Sequence, residues 1–275
     1  KGCDCCGGTG QASEYRDAVR ASSSKRYWAQ DGLGKVLKSQ ASVFGDAEYD
    51  ESNPVIDWTY DPSLPFAVGI DWGEALAYAM IVQFVDHNNH ELPAGTWIVC
   101  EELICEQISR SQFRQRLLDF IKRRGTPYFI GADRAVPSEN RWIRYTINDC
   151  HHVKVAESKK VQRVRYGVEL LRSMLDPVEG PPRLLFSSSL DAKLTSDSYG
   201  IRAQMVNYRY KVNAIGEMLD EPAKLGQEHC VDALRYLAVT SALHEPMHGG
   251  RPLPFARLEG PRSSRDERYR DMTEV

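Results

Sequence analysis

The sequence predicts an α/β domain built on a mixed β-sheet, in which an antiparallel meander comes first and parallel strands are added later. Three apolar runs, residues 66–70, 76–85 and 96–103, are separated by short polar turns, a pattern typical of neighbouring antiparallel strands. After these runs, helical patterns alternate with short strand patterns, which favours parallel additions to the same sheet. Helices are therefore expected to flank a mixed sheet.

The first helix is predicted directly after the meander. Ser109 or Ser111 can cap its start, and Gly125 can end it. Its apolar residues recur at helical spacing: Phe113, Leu117, Phe120 and Ile121. The further predicted elements are a strand over 128–132, a helix over 137–147, a strand over 152–156, a helix over 161–175, a strand over 184–186, helical segments within 191–210 and a last helix over 227–243.

The 275 residues are enough for one substantial domain with appendages. Residues 1–60 lack sustained periodicity, and we interpret them as a linker or the remnant of a preceding domain. Residues 61–245 form the predicted folded domain. Residues 246–275 combine many charges with repeated proline and glycine, which predicts a flexible C-terminal tail.

Composition favours a soluble, non-secreted protein. Hydrophobic residues make up 42 % of the chain and charged residues 27 %, as in ordinary globular proteins. The longest apolar stretch, residues 76–85, is about half of the ~20 residues that a membrane helix needs, so no membrane association is expected. The formal net charge of −3 gives no global sign of nucleic-acid binding, but residues 154–172 hold six bases against two acids and leave a local basic face open.

Most of the seven cysteines are predicted to be reduced core residues. Four fall inside predicted strands or helices: Cys100, Cys105, Cys150 and Cys230. Cys3, Cys5 and Cys6 cluster beside glycines like a fragment of a zinc knuckle. Because no second pair follows at suitable spacing, the sequence leaves zinc binding there open.

Three aspartates stand where a metal-binding carboxylate would be useful. Asp71 follows the first predicted strand, Asp133 follows the fourth, and Asp232 lies in the last helix. Hard cations such as Mg²⁺ and Mn²⁺ take oxygen ligands, and two such cations held by shared carboxylates promote phosphodiester hydrolysis. We therefore predict these aspartates as the catalytic and metal-binding residues of a two-metal nuclease.

Each acid has a plainer interpretation when it is taken alone. Asp71 suits a turn, and Asp133 suits the start of a helix, but the three together in this order favour metal ligation. Glu228 lies one helical turn before Asp232, so the two carboxylates share a face and repel unless a cation neutralises them. Glu228 and His229 are therefore candidate auxiliary residues of the site.

Four basic residues beyond the predicted fifth strand are candidates for DNA contact: Lys159, Lys160, Arg163 and Arg165. Positive side chains beside a cleavage centre bind phosphates and stabilise developing charge. A solvated helix start explains the same residues equally well.

The order of these elements and acids resembles the ribonuclease H-like fold. Residues 68–73, 130–133 and 231–236 look like the three acidic motifs in the nuclease domain of the large terminase subunit of tailed double-stranded DNA bacteriophages. The most specific part of this resemblance is the motif Asp-Ala-Leu-Arg-Tyr, which begins at Asp232. The resemblance covers roughly residues 66–243.

This resemblance implies an endonuclease that cuts concatemeric double-stranded phage DNA during genome packaging in the host cytoplasm, with the portal protein and the small terminase subunit as partners. No ATP site is expected, because Gly32-Leu33-Gly34-Lys35 has the wrong spacing for a phosphate-binding loop. Residues 1–60 would then be the linker to an ATPase domain, or its remnant. The alternatives are a junction resolvase or transposase-like nuclease on the same fold, and a nuclease-dead module that binds DNA or the portal.

Overall fold

The structure, a computed structural model of the chain, describes residues 20, 43–44, 54–73, 75–85, 92–147, 164–193, 200–213, 218–223, 228–243, 247–248 and 251–252. The strands are β1 (Val55–Ile56), β2 (Phe66–Asp71), β3 (Leu76–Phe84), β4 (Trp97–Glu106), β5 (Phe129–Ala132), β6 (Leu184–Ser187), β7 (Tyr210–Val212), β8 (Met218–Pro222), β9 (Met247–His248) and β10 (Arg251–Pro252). The helices are α1 (Arg110–Lys122), α2 (Pro137–Thr146), α3 (Val164–Leu175), α4 (Ile201–Asn207) and α5 (His229–Leu243), and a 3-10 helix spans Ser188–Lys193.

The main sheet has the strand order β1-β6-β4-β3-β2-β5. The pairs β2/β3 and β3/β4 are antiparallel, whereas β5 joins β2, β6 joins β4, and β1 joins β6 in parallel. Only β3 therefore runs against the other strands of this sheet, and the carboxyl ends of the rest lie along one edge. The predicted meander and the predicted mixed sheet are both confirmed.

Helices cover the two faces of the sheet. On one face, α3 and α5 pack over a core that includes Tyr78, Leu171 and Leu237. On the other face, α1 and α2 pack over a second core that includes Phe113 and Ile143. Because side chains alternate along a strand, the even and odd residues of β2 enter different cores.

The helix after the meander begins and ends as predicted. Ser109 is its N-cap and forms a capping box with Gln112. The four apolar residues named for its inner face are all buried: Phe113, Leu117, Phe120 and Ile121. The chain leaves the helix through Gly125, whose φ of 98° is in the left-handed region that glycine adopts at little cost.

Several later boundaries differ slightly from the prediction. The third predicted strand corresponds to β4 and continues to Glu106. It is an interior strand, because β6 pairs with the side that does not face β3. The last helix begins at His229 rather than at residue 227. The strand predicted over 152–156 lies outside the described residues.

The ends of the predicted domain contain additional structure. The strand β1 belongs to the segment interpreted as a linker, yet it pairs with β6 at the sheet edge. Val43 and Phe44, from the same segment, are fully buried in the core. In the segment predicted as a tail, β9 and β10 pair as a short antiparallel hairpin.

Cys100, Cys105 and Cys230 are buried free thiols, as predicted. Cys150 and the cluster of Cys3, Cys5 and Cys6 lie outside the described residues. Within the part of the chain that is described, every helix is too short or too polar to cross a bilayer.

Candidate metal centre

Two of the three predicted ligands lie side by side at the carboxyl edge of the sheet. Asp71 is the last residue of β2, and Asp133 directly follows β5. The two strands pair in parallel, and Ile70 is in register with Ala132. Asp71 and Asp133 therefore leave the sheet from the same rung.

The third predicted ligand is brought in by α5, which lies directly on these strands. Gly69 and Gly131 are paired across β2 and β5, two residues before the respective aspartates. A Cβ atom on Gly69 would lie 2.8 Å from the carbonyl oxygen of Ala233, and one on Gly131 would lie 2.6 Å from the Cα of Leu237. Any side chain there would push the helix away. The two glycines thus allow the helix that carries Asp232 to approach the ends of both strands.

The electrostatics indicate that the three carboxylates share one region. Burial raises the pKa of Asp232, the charge of Arg235 opposes this effect, and the negative charge of Asp71 adds to it. Burial likewise raises the pKa of the Tyr236 hydroxyl, with further contributions from Asp232, Asp133 and Asp71. Tyr236 is therefore within electrostatic reach of all three aspartates.

Each of the three carboxylates has a hydrogen-bond partner. Asp71 Oδ2 lies 2.6 Å from His229 Nδ1. Asp232 Oδ1 accepts hydrogen bonds from Arg235 Nε at 3.1 Å and from Nη2 at 2.9 Å. Asp133 Oδ1 accepts one from the backbone N–H of Ala135 at 2.9 Å, which closes a small turn and does not cap α2.

The contact with Asp71 changes the titration of His229. The hydrogen bond that His229 donates to the Asp71 carboxylate raises the pKa of His229, while burial opposes that shift. Protonated His229 then gives Asp71 a positive partner. The residue that the sequence named as an auxiliary thus contacts a predicted ligand directly.

Arg235 is held firmly beside Asp232. Its side chain crosses Gly167 of α3 so closely that a Cβ atom there would collide with it. Its guanidinium lies 4.6 Å from the ring centroid of Tyr236, and the residue is only 3 % exposed. A buried arginine in this position compensates the charge of Asp232, whose side chain keeps 22 % exposure.

The donor set fits a hard divalent cation in its chemistry, because all three predicted ligands supply carboxylate oxygens. In the ranges that the structure describes, however, no three His, Cys, Asp or Glu side chains are placed to hold one ion. Asp71 and Asp232 instead bind His229 and Arg235. Each of these contacts uses one carboxylate oxygen, Asp71 Oδ2 and Asp232 Oδ1, so a cation would share or replace them.

The other predicted residues are only partly described. The carbonyl of Glu228 accepts the backbone N–H of Asp232 at 2.8 Å, and the charge of Glu228 helps to raise the pKa of His229, so Glu228 lies beside the centre. Arg165 is exposed at the start of α3. The remaining candidates for DNA contact, Lys159, Lys160 and Arg163, lie outside the described residues.

Sequence reasoning missed two residues of the centre. The motif Asp-Ala-Leu-Arg-Tyr includes Arg235 and Tyr236, but the sequence pattern assigns neither of them a role. Their spacing of three and four residues after Asp232 places both on the same side of α5, which was the available signal.

Comparison with solved structures identifies the fold. The large terminase from a thermophilic bacteriophage matches in one crystal form with a TM-score of 0.57 at 14 % identity, over 83 % of this chain and 51 % of that chain. A second crystal form of the same terminase matches with a TM-score of 0.52 at 17 % identity, over 71 % and 43 %. The large terminase nuclease from thermophilic phage G20c with bound magnesium matches with a TM-score of 0.47 at 15 % identity, over 74 % and 98 %.

The chain thus has the ribonuclease H-like fold found in phage large terminases, as the motif resemblance implied. It spans about half the length of the first terminase in either crystal form. No protein-family model matches the sequence, and no curated protein matches it either.

Proposed function

We propose that this chain is the nuclease part of a phage large terminase, a metal-dependent endonuclease that cleaves double-stranded DNA. The observation that carries the proposal is that Asp71 and Asp133 directly follow the paired residues Ile70 and Ala132 of β2 and β5, and that α5, which carries Asp232, lies against both strands. The fold supports the proposal, because the carboxyl edge of the sheet supplies Asp71 and Asp133, and α5 supplies Asp232. These are the acids of the three motifs. No other described feature offers a comparable set of hard ligands.

In this function, Asp71, Asp133 and Asp232 would hold Mg²⁺ or Mn²⁺. Two such cations, when bound, lower the pKa of the attacking water and stabilise the departing 3′ oxygen of the phosphodiester. His229 would orient the Asp71 carboxylate for such a cation, and Arg235 would do the same for Asp232. Neither residue is needed as a covalent nucleophile.

The wider biology is part of the same proposal. The DNA would be concatemeric phage DNA cut during packaging in the host cytoplasm, with the portal protein and the small terminase subunit as partners. Lys159, Lys160, Arg163 and Arg165 would contact its phosphates, which position DNA without reading the base sequence. A preceding ATPase domain would supply the packaging motor.

Plasmid cleavage with Mn²⁺ tests this proposal. We expect Asp71→Asn, Asp133→Asn and Asp232→Asn each to abolish cutting, because each change removes one ligand charge while preserving shape. Asp119→Asn is the matched control, since Asp119 is an exposed aspartate of α1 on the opposite face of the sheet, and it should cut normally.

Full activity in one of the three ligand variants would remove that residue from the mechanism. Failure of the unaltered chain to bind or use any divalent cation would instead identify a nuclease-dead module that binds DNA or the portal. A strong preference for branched over linear DNA would favour the junction-resolvase alternative.

A further inference from the structure

A buried asparagine links the two strand ends that carry Asp71 and Asp133. Asn140 lies in the first turn of α2 and is 5 % exposed. Its Oδ1 accepts a hydrogen bond from Trp72 Nε1 at 3.1 Å, and Trp72 directly follows Asp71. Its Nδ2 donates to the backbone carbonyl of Asp133 at 2.6 Å. One side chain therefore joins both ligand-bearing segments.

The amide has only one orientation that satisfies both contacts. The indole N–H can only donate, and the carbonyl of Asp133 can only accept. If the amide of Asn140 were turned over, a donor would face the indole and an oxygen would face the carbonyl. Position 140 therefore requires a side chain with an acceptor towards Trp72 and a donor towards Asp133. No aliphatic side chain provides both.

This link begins where the sheet pairing stops. The registered pairing of β2 with β5 ends at Ile70 and Ala132, one residue before each aspartate. Beyond that rung the two backbones are free to separate unless other contacts hold them. Asn140 supplies such a contact at the position where the spacing between the two carboxylates is set.

Trp72 and Asn140 are themselves held by packing and by a hydrogen bond. Trp72 is 5 % exposed and packs edge to face on Phe113 at 5.5 Å and on Trp142 at 6.4 Å between ring centroids. The backbone N–H of Asn140 donates to the carbonyl of Val136 within the first turn of α2. Because Trp72 and Asn140 are both held in place, the link can transmit position to Asp133 as well as stability.

We propose that Asn140 is a positioning residue that sets the spacing of the Asp71 and Asp133 carboxylates for cation binding. This inference rests on the proposed metal-dependent function. Outer groups that orient metal ligands typically change metal affinity by about 10- to 100-fold when they are removed. Loss of the link should therefore weaken cation binding more than it weakens the fold.

The neighbouring Glu139 provides a matched control. It lies on the same turn of α2 and is 2 % exposed, and its two oxygens bind Arg114 Nε at 2.7 Å and Nη2 at 2.8 Å. This ion pair ties α2 to α1 and contacts neither strand end. Glu139→Gln should therefore disturb α2 without affecting the spacing of the aspartates.

The experiment measures Mn²⁺ affinity by calorimetry on the whole chain, together with thermal unfolding and the Mn²⁺ dependence of plasmid cutting. The variants are Asn140→Leu, which removes both hydrogen bonds, and Trp72→Phe, which removes one and keeps an aromatic ring. Asp71→Asn and the unaltered chain define the presence of the cation site. Glu139→Gln shows the effect of an equivalent disturbance of α2.

We expect Asn140→Leu to weaken Mn²⁺ binding by about 10-fold or more, and Trp72→Phe to weaken it in the same direction by less. Saturating Mn²⁺ should restore much of the cutting, and the KM for DNA should be unchanged. Glu139→Gln should bind Mn²⁺ normally even if it melts earlier.

Normal Mn²⁺ affinity in both Asn140→Leu and Trp72→Phe would overturn the inference, as would an equal loss in Glu139→Gln. If Asn140→Leu does not fold, Trp72→Phe alone decides. If the unaltered chain binds no Mn²⁺, or if Asp71→Asn binds it equally well, the proposed function fails first, so the two failures are distinct.

Discussion

Cys100 shows how burial controls the chemistry of one side chain in this sheet. Its thiol donates to the carbonyl of Ile98 at 3.1 Å and lies near Gln83, whose Oε1 also accepts from Trp58 Nε1. Burial raises the pKa of Cys100 to about 12, with the nearby Glu101 charge adding to the effect. The thiol is therefore protonated throughout the physiological pH range.

A stability prediction follows from this shift. The thiol of an unfolded chain has a pKa of about 8.5, so the stabilising contribution of Cys100 is complete below that pH. It declines as the pH rises from about 8.5 towards 12, by up to about 1.4 kcal/mol per pH unit, because only the unfolded state loses the proton in that range. We expect Cys100→Val to flatten the alkaline fall in the free energy of unfolding, measured by denaturant titration at successive pH values.

Alkylation provides an independent check on the same residue. When the native protein is treated with iodoacetamide at pH 8, the peptide that contains Cys100 should stay unmodified. Unfolding in guanidinium should make the Cys100 thiol reactive. Rapid native alkylation of Cys100, or an unchanged alkaline slope in Cys100→Val, would show that the thiol is more accessible than its 5 % exposure indicates.

At the scale of elements, the packing of α5 on the sheet depends on two positions without side chains. We expect Gly131→Ala to cost about 1 to 3 kcal/mol, because its Cβ would press against the backbone of α5 and the helix would have to move. Cutting should fall further than stability explains, since α5 carries Asp232. Chemical denaturation and cleavage at a temperature well below the melting transition measure the two effects.

Gly125→Ala is the control for this change. Gly125 has a positive φ, and a Cβ atom there would meet nothing within 4 Å, so alanine adds backbone strain of about 1 kcal/mol without moving α5. It should lose stability and retain cutting. Equal cutting by both alanine variants would show that the approach of α5 does not control the site.

The elements that the sequence predicted are those with a local signature. β2 is an apolar run that ends in aspartate, β5 is an apolar run that is directly followed by aspartate, and α1 has a cap and an apolar stripe. The sequence could not predict that β6 lies beside β4, because parallel pairing between distant segments leaves no local sequence pattern. β1 is too short for any period. Asn140 was missed because one polar residue in a helix gives no sign of a contact 68 residues away.

At the scale of the whole molecule, the chemistry is expected to depend on divalent cations and not on nucleotide. Cutting of plasmid DNA should proceed without ATP, stop with a chelator and return when Mn²⁺ is added in excess. An ATPase assay on the same preparation should show no saturable turnover, since the sequence lacks a phosphate-binding loop of the required spacing. Nucleotide-dependent cutting would contradict this, and saturable ATP turnover would overturn the interpretation of residues 1–60 as a linker or remnant.

The short strand β1 has a practical consequence for anyone who shortens this chain. Its two residues, Val55 and Ile56, cover one side of β6, and the carbonyl of Pro54 accepts the N–H of Phe186. A fragment that begins at residue 61 would expose the apolar strand Leu184–Ser187 as an open sheet edge, and such edges recruit strands from other molecules. Pro54, Val55 and Ile56 therefore cover this sheet edge and should reduce self-association.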